Sequence, residues 1–582
     1  MPAPPFVLLD DARPGGSARL YRDPVEVLTA RTPDEVGALL DRLRAATANG
    51  LHAAGYFAYE AAAALEPSLP RPADAPLAWF ALFRTVETID VAACLPDPAG
   101  AHVGIPRPTI DRATYDTRFA RVQALIAAGD VYQANLTFPA TVAIAGDPLA
   151  AYAAVRPRAA AGWGAIVATG SETILSFSPE LFVALDGRTL TARPMKGTAR
   201  RLADPAADAR AAAALAADPK QRAENLMIVD LLRNDLSRVA APGSVAVPAL
   251  FAIERYPTVH QMTSTVTARL AEDRDAIDLI AAAFPCGSIT GAPKLRAIEA
   301  LAAIEAAPRG VYTGAIGRVD ANGDAQFNVA IRTLTIRDGA ATMGLGGGIV
   351  ADSRADEEWD EALAKGAFLT AGQRRVDLIE TMAFDPVAGI ALLDRHMARL
   401  TASAAALGFR FDRHGARNEL RAATFRLRAP RRVRLLLAGS GAMAVEVGPL
   451  PVTPARMDAA VVPLPVPNED FRLRHKTSDR AFYDGARRGA GTAEVVFEDR
   501  DGFLTEGSFT SLFVERDGVL LTPPLTRGLL PGVLRAELIA TGRAVEADLT
   551  RADLEDGFFL GNALRGLFAA FVAVAKEPAA RL

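Results

Sequence analysis

Short apolar runs and amphipathic stretches alternate along the chain, and turn residues separate them. A run of apolar residues only a few positions long predicts a strand, whereas apolar residues at helical spacing predict a helix. By this criterion strands are predicted at Phe6–Asp10, Trp79–Phe83, Ala165–Ala168 and Thr173–Ser176. Helices are predicted at Tyr115–Gly129, Ala223–Leu236 and Ala355–Thr370. The pattern therefore indicates a mixed α/β (α+β) fold class.

One break in this pattern predicts a domain boundary. The helix predicted at Ala355–Thr370 begins with acidic residues, which the helix dipole favours at an N-terminus, and Ala371–Arg375 then interrupts the periodicity. A new strand is predicted at Val376–Met382. We therefore expect two domains, 1–370 and 371–582, and a chain of 582 residues is long enough for both. The Ala-rich stretch Ala203–Asp218 is predicted to be a surface helix.

Composition narrows the class of protein. The net charge is −4 and no dense basic stripe is present, so no nucleic-acid partner is expected. No apolar run approaches the ~20 residues that span a bilayer, so no membrane association is expected. Cys94 and Cys286 cannot build a disulfide framework, and the N-terminus lacks the pattern of a signal peptide. We expect a soluble, cytoplasmic protein.

Lys196 is the first candidate for chemistry. A strand is predicted at Leu190–Arg193, followed by Pro194 and a turn at Lys196–Thr198. Proline fixes φ and glycine permits close backbone approach, so the Lys196 side chain is expected to be held in one direction. A partly desolvated lysine can lose its proton and act as a nucleophile. A solvated lysine in a turn is the alternative.

Carboxylates from separate segments are the natural partners of such a lysine. Glu180 follows a proline, Glu224 lies near the start of a predicted helix, and Glu358 and Glu361 share one helix face because they are three residues apart. Carboxylates that converge repel one another unless a cation lies between them, and Mg²⁺ prefers oxygen ligands. Considered singly, each of these residues is also typical of a solvated surface.

Two further features complete the first group of motifs. The glycines of Gly344–Ile349 would let the backbone approach a ligand closely, although a turn is the alternative. Arg332 could bind a carboxylate through two parallel hydrogen bonds. The order of these motifs along residues 1–370 resembles that of the chorismate-utilising enzymes, and within them component I of aminodeoxychorismate synthase. The matching stretches are Gly129–Asn135, Ser178–Glu180, Pro194–Thr198, Arg222–Asp235, Val259–His260, Phe284–Lys294, Val311–Gly314, Ile331–Thr333 and Gly346–Asp352.

This resemblance implies a fold and a reaction. The fold would have two facing β-sheets flanked by helices, and chorismate would be aminated to 4-amino-4-deoxychorismate through a covalent adduct on Lys196. Glu180 would protonate the departing 4-hydroxyl group, and Mg²⁺ would bind Glu224, Glu358 and Glu361. Substrate contacts are implied for Tyr312, Arg332, Gly347, His260 and Thr198, with a purely structural role as the alternative for His260.

Comparison within the resembling family indicates which ring position is aminated and where the ammonia would come from. Anthranilate synthases carry alanine at the position of Lys196, and the isochorismate-forming enzymes carry a lysine at the position of Gln133, so this pair indicates amination at C4. Neither cysteine is set in the motif of a glutamine amidotransferase, so a separate amidotransferase subunit or free ammonia is expected as the nitrogen source. Leu8–Asp10 resembles a segment that lines a tryptophan site in relatives, with an edge strand as the alternative.

A second lysine, Lys476, heads another group of motifs. An acid follows at Glu506, and the turn Gly528–Val533 leads into a predicted helix. A lysine that forms a Schiff base, an acid at a ring nitrogen and a helix N-terminus for a phosphate are together typical of a pyridoxal phosphate site. Arg399 could pair with that phosphate, although an exposed position is the alternative.

These motifs resemble those of the fold-type IV pyridoxal phosphate enzymes, which have two subdomains. The matching stretches are Leu393–Leu400 with Ser403 and Leu407–Phe409, His475–Thr477 with Arg480, Thr505–Ser508, and Gly528–Val533 with Arg535. The resemblance implies that Lys476 carries the cofactor, Glu506 faces its ring nitrogen, and Arg399, Gly532 and Val533 hold its phosphate. Two departures are Thr510–Ser511, where relatives have asparagine, and Gly561, where they often have a hydroxyl residue.

The resemblance also implies a homodimer formed through the second domain. Because the first domain would make 4-amino-4-deoxychorismate, a lyase that releases pyruvate and 4-aminobenzoate is the expected second activity. A branched-chain or D-amino-acid type of aminotransferase is the alternative for residues 371–582. A non-catalytic chorismate- or tryptophan-binding regulatory protein is the alternative of another class.

Overall fold

The computed structural model describes residues 1–66, 69, 76–256 and 259–573, which form two compact units. The first unit contains Met1–Pro96, Ile105–Val142 and Tyr152–Gly372. The second contains Gln373–Leu582 together with two short segments from the first part of the chain, Asp97–Gly104 and Ala143–Ala151. The chain thus passes between the units five times, whereas the predicted spans 1–370 and 371–582 contain a single passage.

Strands dominate the chain up to Gly372. Its strands are β1 (Phe6–Asp10), β2 (Ala18–Tyr21), β3 (Glu26–Ala30), β4 (His52–Phe57), β5 (Ala78–Phe83), β6 (Glu87–Ile89), β7 (His102–Val103), β8 (Arg107–Pro108), β9 (Gln133–Val142), β10 (Ile144–Ala145), β11 (Trp163–Ala168), β12 (Thr173–Ser178), β13 (Leu181–Asp186), β14 (Thr189–Arg193), β15 (Met195–Arg200), β16 (Ala246–Arg255), β17 (Val259–Arg269), β18 (Gly291–Ala292), β19 (Ala315–Val319), β20 (Ala325–Val329), β21 (Thr333–Arg337) and β22 (Ala340–Ile349). Its helices are α1 (Pro33–Ala48), α2 (Ala62–Leu65), α3 (Val91–Cys94), α4 (Arg112–Ala127), α5 (Pro148–Ala159), α6 (Pro205–Ala217), α7 (Pro219–Ser237), α8 (Ala276–Ala283), α9 (Lys294–Glu305) and α10 (Ala355–Ala364).

The remaining elements follow Gly372. The strands are β23 (Leu378–Asp385), β24 (Gly389–Ile390), β25 (Arg431–Leu437), β26 (Met443–Pro449), β27 (Arg456–Pro463), β28 (Glu494–Glu498), β29 (Leu504–Gly507), β30 (Ser511–Arg516), β31 (Val519–Thr522), β32 (Ala544–Glu546), β33 (Phe558–Asn562) and β34 (Gly566–Val572). The helices are α11 (Leu393–Leu407), α12 (Arg413–Thr424), α13 (Phe471–Arg474), α14 (Ala481–Ala490) and α15 (Val533–Ala540).

Two ten-stranded antiparallel sheets form the first unit. One has the order β18-β9-β22-β21-β12-β11-β1-β2-β6, with β8 beside β9, and the other has the order β15-β17-β14-β13-β20-β19-β4-β5-β3, with β16 beside β17. Side chains from both sheets, such as Val7 and Tyr21 from the first and Tyr56 and Trp79 from the second, share one core, so the sheets face each other.

Strand β5 shows why the sequence specifies this layering. Trp79, Ala81 and Phe83 point into the core between the sheets, whereas Phe80 and Leu82 belong to a second core. Helices α1, α7, α8 and α9 contribute buried side chains to that second core. A strand that is buried on both faces reads as one continuous apolar run, which is how Trp79–Phe83 stands in the sequence.

The second unit contains a four-stranded sheet and an eight-stranded sheet. The orders are β24-β23-β25-β26 and β29-β28-β27-β34-β33-β30-β31-β32. Each sheet has its own core, with Met382, Met397 and Leu435 in the first and Val496, Leu512 and Leu560 in the second. The predicted fold class, with two facing sheets followed by a two-subdomain part, is confirmed. Within the described residues, no helix is long and apolar enough to cross a membrane.

Two local predictions are wrong. The segment Lys196–Thr198 is not a turn, because Met195–Arg200 forms strand β15 and pairs with β17. The helix predicted at Ala355–Thr370 ends at Ala364, and a short 3₁₀ turn at Ala367–Leu369 follows it. In both cases side-chain pattern alone could not show where the backbone changes its hydrogen-bonding partner.

Candidate functional site

The backbone of Lys196 is fixed from two sides. The pairing of β15 with β17 shifts register between Met195 and Thr198, where Gly197 has a φ of +94°. Nδ2 of Asn225 donates to the Lys196 carbonyl at 3.3 Å, and Nε2 of Gln261 donates to the Gly197 carbonyl at 2.8 Å. The irregular strand therefore gives the Lys196 side chain one direction, which was the expected consequence of the motif although not the expected backbone.

The Lys196 ammonium lies over the glycine-rich strand β22. A Cβ atom added to Gly348 would lie 2.9 Å from Nζ of Lys196 and 2.4 Å from Nε2 of Gln133. Gly344–Ile349 is thus part of a strand, so the turn alternative is wrong, and its lack of side chains admits Lys196 and Gln133. Burial lowers the pKa of Lys196, and the positive charge of Lys365 adds to this effect.

Glu180 lies between β12 and β13 and is almost fully buried, with 3% of its surface exposed. Its Oε1 accepts a hydrogen bond from Oγ of Ser288 at 2.7 Å. Burial raises the pKa of Glu180 to about 7 and outweighs the opposing effects of Ser288 and Lys196. Near neutral pH Glu180 is therefore protonated in a substantial fraction of molecules, as a general acid requires.

The three predicted metal ligands influence one another electrostatically and lie close to Lys196. Burial raises the pKa of Glu224 and of Glu358, and Glu361 adds to both shifts. Oε1 of Glu358 accepts from Ser353 at 2.7 Å, whereas Glu361 pairs with Nζ of Lys365 at 2.8 Å, which lowers the pKa of Glu361.

A divalent cation fits this arrangement only in part. Among the described residues, no group of three or more His, Cys, Asp or Glu side chains is close enough to hold a metal ion. Mg²⁺ is commonly bound by one or two carboxylates, with water and substrate oxygens filling the other positions. Burial raises the pKa values of Glu224 and Glu358, which a bound cation would lower, and carboxylate oxygens are the donor type that Mg²⁺ prefers.

The predicted substrate-binding residues have the following neighbours in the structure. Gly347 is next to Glu358, since an added Cβ would be 3.0 Å from Oε2 of that residue. Tyr312 covers Gly344, which is on the same face of β22 as Gly348 because side chains alternate along a strand. Arg332 has a φ of 51° and lies over the ring of Phe368, at 5.7 Å from its centroid.

His260 and Thr198 are bound to protein groups. Nε2 of the fully buried His260 lies 2.9 Å from Oδ1 of Asp208, and Oγ1 of Thr198 donates to Oε1 of Gln261 at 2.9 Å. The Asp208 contact agrees with the structural alternative for His260, while its Nδ1 has no hydrogen-bond partner within the described part of the chain.

Sequence reasoning missed three residues of this centre. Ser288 binds Glu180, Lys365 binds Glu361, and Asn225 binds the Lys196 carbonyl. The i,i+4 spacing of Glu361 and Lys365 was a readable signal for an ion pair. Ser288 and Asn225 stood within recognised motifs, but only the fold reveals which carboxylate or carbonyl they contact.

The segment Leu8–Asp10 belongs to β1, which lies between β11 and β2, so the edge-strand alternative is wrong. The Asp10 carboxylate accepts from Arg156 at 2.7 and 3.0 Å and from Tyr152 at 2.9 Å. A tryptophan site at this place stays a prediction.

Lys476 is the candidate nucleophilic lysine of the second unit, as Lys196 is of the first. It follows α13, and its carbonyl accepts from the Ile379 amide at 2.8 Å, which ties the segment to β23. Burial lowers the pKa of Lys476 to about 7, and Arg399 and Arg480 contribute to the shift. Near neutral pH about half of this amine is therefore unprotonated and available as a nucleophile.

Glu506 is a buried acid on β29. It accepts from the hydroxyl of Tyr483 at 2.6 Å, and burial raises its pKa to about 7. The backbone amide of Leu530, in the turn Gly528–Val533, opposes this rise in the pKa of Glu506. A carboxyl group poised in this way fits a partner that carries a proton on a ring nitrogen.

Arg399 lies beside the same turn but is already paired. Its guanidinium donates to Glu380 at 2.8 and 2.6 Å and to the Pro531 carbonyl at 3.2 Å. Arg399 is therefore not a freely exposed arginine, and that alternative is wrong.

The turn itself leaves no room for a side chain. A Cβ atom on Gly532 would lie 2.4 Å from Oγ of Ser511, and Val533 begins α15. Ser511, one of the two departures from the resembling family, also pairs with the other, Gly561, across β30 and β33. A half-buried lysine, an acid and a helix N-terminus behind a close-packed turn fit pyridoxal phosphate.

Comparisons with known proteins match two regions of the chain, one around each candidate lysine. The family model described as chorismate binding enzyme matches residues 4–371, and the model described as amino-transferase class IV matches residues 377–570. Aminodeoxychorismate synthase component 1 from Klebsiella aerogenes is 45% identical over 259 residues, which is 44% of this chain and 57% of that protein. Anthranilate synthase component 1 from Streptomyces coelicolor is 43% identical over 267 residues, 46% of this chain and 52% of that protein.

A solved structure has the same fold in the first part of the chain. Anthranilate synthase component I from Streptococcus pneumoniae superposes with a TM-score of 0.54 at 24% identity, covering 64% of this chain and 93% of that structure. The chain spans a little over half the length of the curated relatives it matches. The motif-based resemblance is thus confirmed at the level of families. The chain belongs to the chorismate binding enzymes and carries an amino-transferase class IV domain at residues 377–570.

Proposed function

We propose that the first unit aminates chorismate to 4-amino-4-deoxychorismate. The observation that carries this proposal is an amine of lowered pKa, Lys196, within electrostatic reach of a buried acid of raised pKa, Glu180. Groups whose pKa values are shifted toward neutrality can exchange protons with a substrate at physiological pH. Similarity to aminodeoxychorismate synthase component 1 supports the choice of reaction.

Lys196 and Glu180 divide the chemistry between them. Nζ of Lys196, as the free amine, attacks C2 of the ring, both ring double bonds shift by one position toward C4, and the 4-hydroxyl leaves as water with the proton of Glu180. Ammonia then attacks C4, both double bonds shift back, and the C2–N bond breaks to release the Lys196 amine. Two allylic displacements thus replace hydroxyl by amine with no change in oxidation state. Burial keeps Glu180 protonated until the hydroxyl leaves.

Mg²⁺ would bind among Glu224, Glu358 and Glu361, through one or two of these carboxylates at a time with water in its other positions, and it would neutralise the ring carboxylate of the substrate. Glu361 would then exchange its contact with Lys365 for the cation. Gly347 would allow the substrate to approach the backbone next to these carboxylates. Tyr312 and Arg332 would bind the enolpyruvyl carboxylate, with His260 and Thr198 at the margin of the site.

For the second unit we propose the elimination of pyruvate from 4-amino-4-deoxychorismate to give 4-aminobenzoate. Pyridoxal phosphate, held by Lys476, would supply the electron sink for this step. Glu506, supported by Tyr483, would hold the proton on the ring nitrogen, while Arg399, Gly532 and Val533 would bind the phosphate. The Lys476 amine, with a pKa near 7, would remove the ring proton of the substrate.

The proposed partners follow from this pair of reactions. A separate glutamine amidotransferase would supply the ammonia. Burial raises the pKa of Cys286 to about 12 and thereby disfavours the thiolate that such an activity needs. Cys94 is the last residue of the four-residue helix α3. Pairing of two chains through the second unit, as the fold-type IV resemblance implies, is part of the same proposal.

A product assay tests the coupled function. Chorismate and an ammonium salt, with Mg²⁺ and pyridoxal phosphate, should give 4-aminobenzoate and pyruvate in equal amounts. The Lys476→Ala variant should accumulate 4-amino-4-deoxychorismate instead, whereas Lys196→Ala should give neither product. If the unaltered protein stops at 4-amino-4-deoxychorismate, the lyase assignment fails and an aminotransferase becomes the better account of residues 377–570.

A further inference from the structure

Two short segments from the first part of the chain are integrated into the second unit. Residues 97–104 carry β7 and residues 143–151 begin with β10, and these two strands pair with each other. The Gly104 amide also donates to the Ala143 carbonyl at 2.7 Å. Val103 and Ala151 are each 1% exposed, so the paired segments contribute to a packed interior. Both segments lie within the part of the chain that matches the chorismate binding enzymes.

His102, on β7, closes the C-terminal end of helix α11. Its Nε2 lies 2.9 Å from the Leu407 carbonyl, in the last residue of that helix. The last carbonyls of a helix have no partner within the helix, and a carbonyl can only accept, so Nε2 of His102 carries the hydrogen. Burial lowers the pKa of His102, which keeps the ring neutral. The same helix, α11, also carries Arg399 and Ser403.

The His102 ring also packs against the segment that leads to Lys476. Its centroid lies 5.8 Å from that of Phe471, the first residue of α13, and 5.9 Å from that of Phe409. The Phe471 carbonyl accepts from the His475 amide at 3.0 Å, and Nδ1 of His475 lies 3.0 Å from Oγ of Ser403 on α11. Lys476 is the next residue along the chain.

A second contact reaches the start of α13. A Cβ atom on Gly100 would lie 3.4 Å from Oδ2 of Asp470. Asp470 is 3% exposed and caps α13 by accepting from the Arg472 amide at 2.9 Å. Gly100 and His102 therefore contact the start of α13, at Asp470 and Phe471, and His102 also contacts the end of α11 at Leu407. Burial lowers the pKa of His475 to about 4, and His102 contributes to this shift, which is a further sign that the two rings are close.

We propose that His102 is a positioning residue for Lys476, and that residues 97–104 are a working part of the second site. The Leu407 hydrogen bond fixes the end of α11, and the contact with Phe471 fixes α13, so the Lys476 amine is held against Arg399 and β23. This inference rests on the proposed role of Lys476 as the cofactor-binding lysine. It means that His102, which lies within residues 4–371, supports the proposed cofactor-binding lysine of residues 377–570.

Two variants of the full-length protein separate the hydrogen bond from simple packing. His102→Leu introduces an apolar side chain of similar size and leaves the Leu407 carbonyl without a donor, whereas His102→Gln introduces a side-chain amide whose N–H can replace the imidazole as donor. We expect His102→Leu to bind pyridoxal phosphate about ten-fold more weakly, in line with the loss of one buried hydrogen bond. His102→Gln should stay within about three-fold of the unaltered protein.

Two measurements are needed. The dissociation constant for pyridoxal phosphate is measured with borohydride trapping on Lys476, quantified by peptide mass. Amide hydrogen exchange of residues 471–477 is measured without cofactor, and it should accelerate about ten-fold in His102→Leu alone because that segment loses its anchor. His52→Gln, in the first unit and paired with Asp320 at 3.0 Å, is the control and should change neither quantity.

The outcomes are distinct. Failure of the unaltered protein to bind pyridoxal phosphate would refute the proposed function, whatever the His102 variants do. Normal binding and normal exchange in His102→Leu would refute the positioning role alone. An equal loss in His102→Leu and His102→Gln would also refute it, since the hydrogen bond would then be irrelevant. If His102→Leu does not fold, His102→Phe, which keeps the ring contacts and lacks the donor, takes its place in the comparison.

Discussion

At the scale of single residues, the two candidate lysines share one physical basis and differ in their neighbours. Burial lowers the pKa of both, because the charged amine loses hydration. Lys196 has the acid Glu180 within electrostatic reach, whereas Lys476 lies near Arg399 and Arg480. The first arrangement suits a nucleophile that works with a proton donor, and the second suits an amine that binds an aldehyde cofactor.

Substitution of Glu180 tests the role of the acid. Glu180→Gln keeps the size of the side chain and a hydrogen-bonding partner for Ser288 but cannot give up a proton. The rate of 4-amino-4-deoxychorismate formation should fall by about 10²–10⁴-fold. Thermal unfolding should show an equal or higher stability, since a buried ionisable group is removed. A rate within a few-fold of normal would show that another group protonates the hydroxyl.

The pH dependence of the first reaction follows from the same residues. Glu180 must be protonated, and its pKa of about 7 means that this form is lost as pH rises through 7. Lys196 must be unprotonated, and its lowered pKa means that the free amine gains population as pH rises. Single-turnover rates without ammonia should therefore pass through a maximum. In Glu180→Gln the decline on the alkaline side should disappear, and its persistence would contradict the assignment.

Motif reasoning reached much of this site, and its limits are physical. Lys196, Glu180, Glu224 and the helix-face pair Glu358–Glu361 could be selected because residue type and order carry that information. The partners Ser288 and Asn225 could not, since a hydrogen bond between distant segments depends on the register of strands and helices. The backbone at Lys196 was assigned incorrectly because proline and glycine permit an irregular strand as well as a turn.

At the scale of elements, strand β22 is the clearest case of a sequence feature with a structural reason. Its glycines allow the Lys196 amine and the Gln133 amide to lie directly on the backbone at Gly348. Fold class, the strand β1 and the starts of α10 and α15 followed from apolar periodicity and charge. The inclusion of β7 and β10 in the second unit did not, because two-residue strands leave no periodic pattern to read.

Gly348→Ala tests the close approach on β22. The added methyl would lie 2.4 Å from Nε2 of Gln133 and 2.9 Å from Nζ of Lys196, so both side chains must move. Amination should fall at least ten-fold, and overpacking should lower the free energy of unfolding by about 1–3 kcal/mol. Gly37→Ala in α1 is the matched control, since its Cβ would meet nothing within 4 Å and helix propensity predicts a gain of about 1 kcal/mol. Normal amination by Gly348→Ala would show that Lys196 does not act from this position.

At the scale of the whole molecule, the chain combines two compact units whose proposed reactions are consecutive. The product of the first proposed reaction would be the substrate of the second, and each unit has its own half-buried lysine of lowered pKa. Residues 97–104 and 143–151 belong to the second unit, although the residues before and after each of these segments belong to the first. A boundary drawn at residue 370 or 372 therefore does not separate two complete pieces of structure.

The choice of nitrogen donor is a property of the whole chain. With ammonium salts the isolated protein should form product, whereas with glutamine alone the rate should be indistinguishable from the background. Addition of a glutamine amidotransferase partner should restore the glutamine-dependent reaction. Turnover with glutamine by the isolated chain, abolished by Cys94→Ser, would instead place the amidotransferase activity on this protein.

The central claim is that Lys196 becomes covalently attached to the ring. Incubation with chorismate and Mg²⁺ in the absence of ammonia, followed by intact-mass and peptide analysis, measures this directly. We predict an adduct with the mass of chorismate less one water, located on the peptide that contains Lys196 and absent from Lys196→Ala. Addition of ammonium should discharge it as 4-amino-4-deoxychorismate. Product formation with no adduct at Lys196 under any quenching condition would contradict the account.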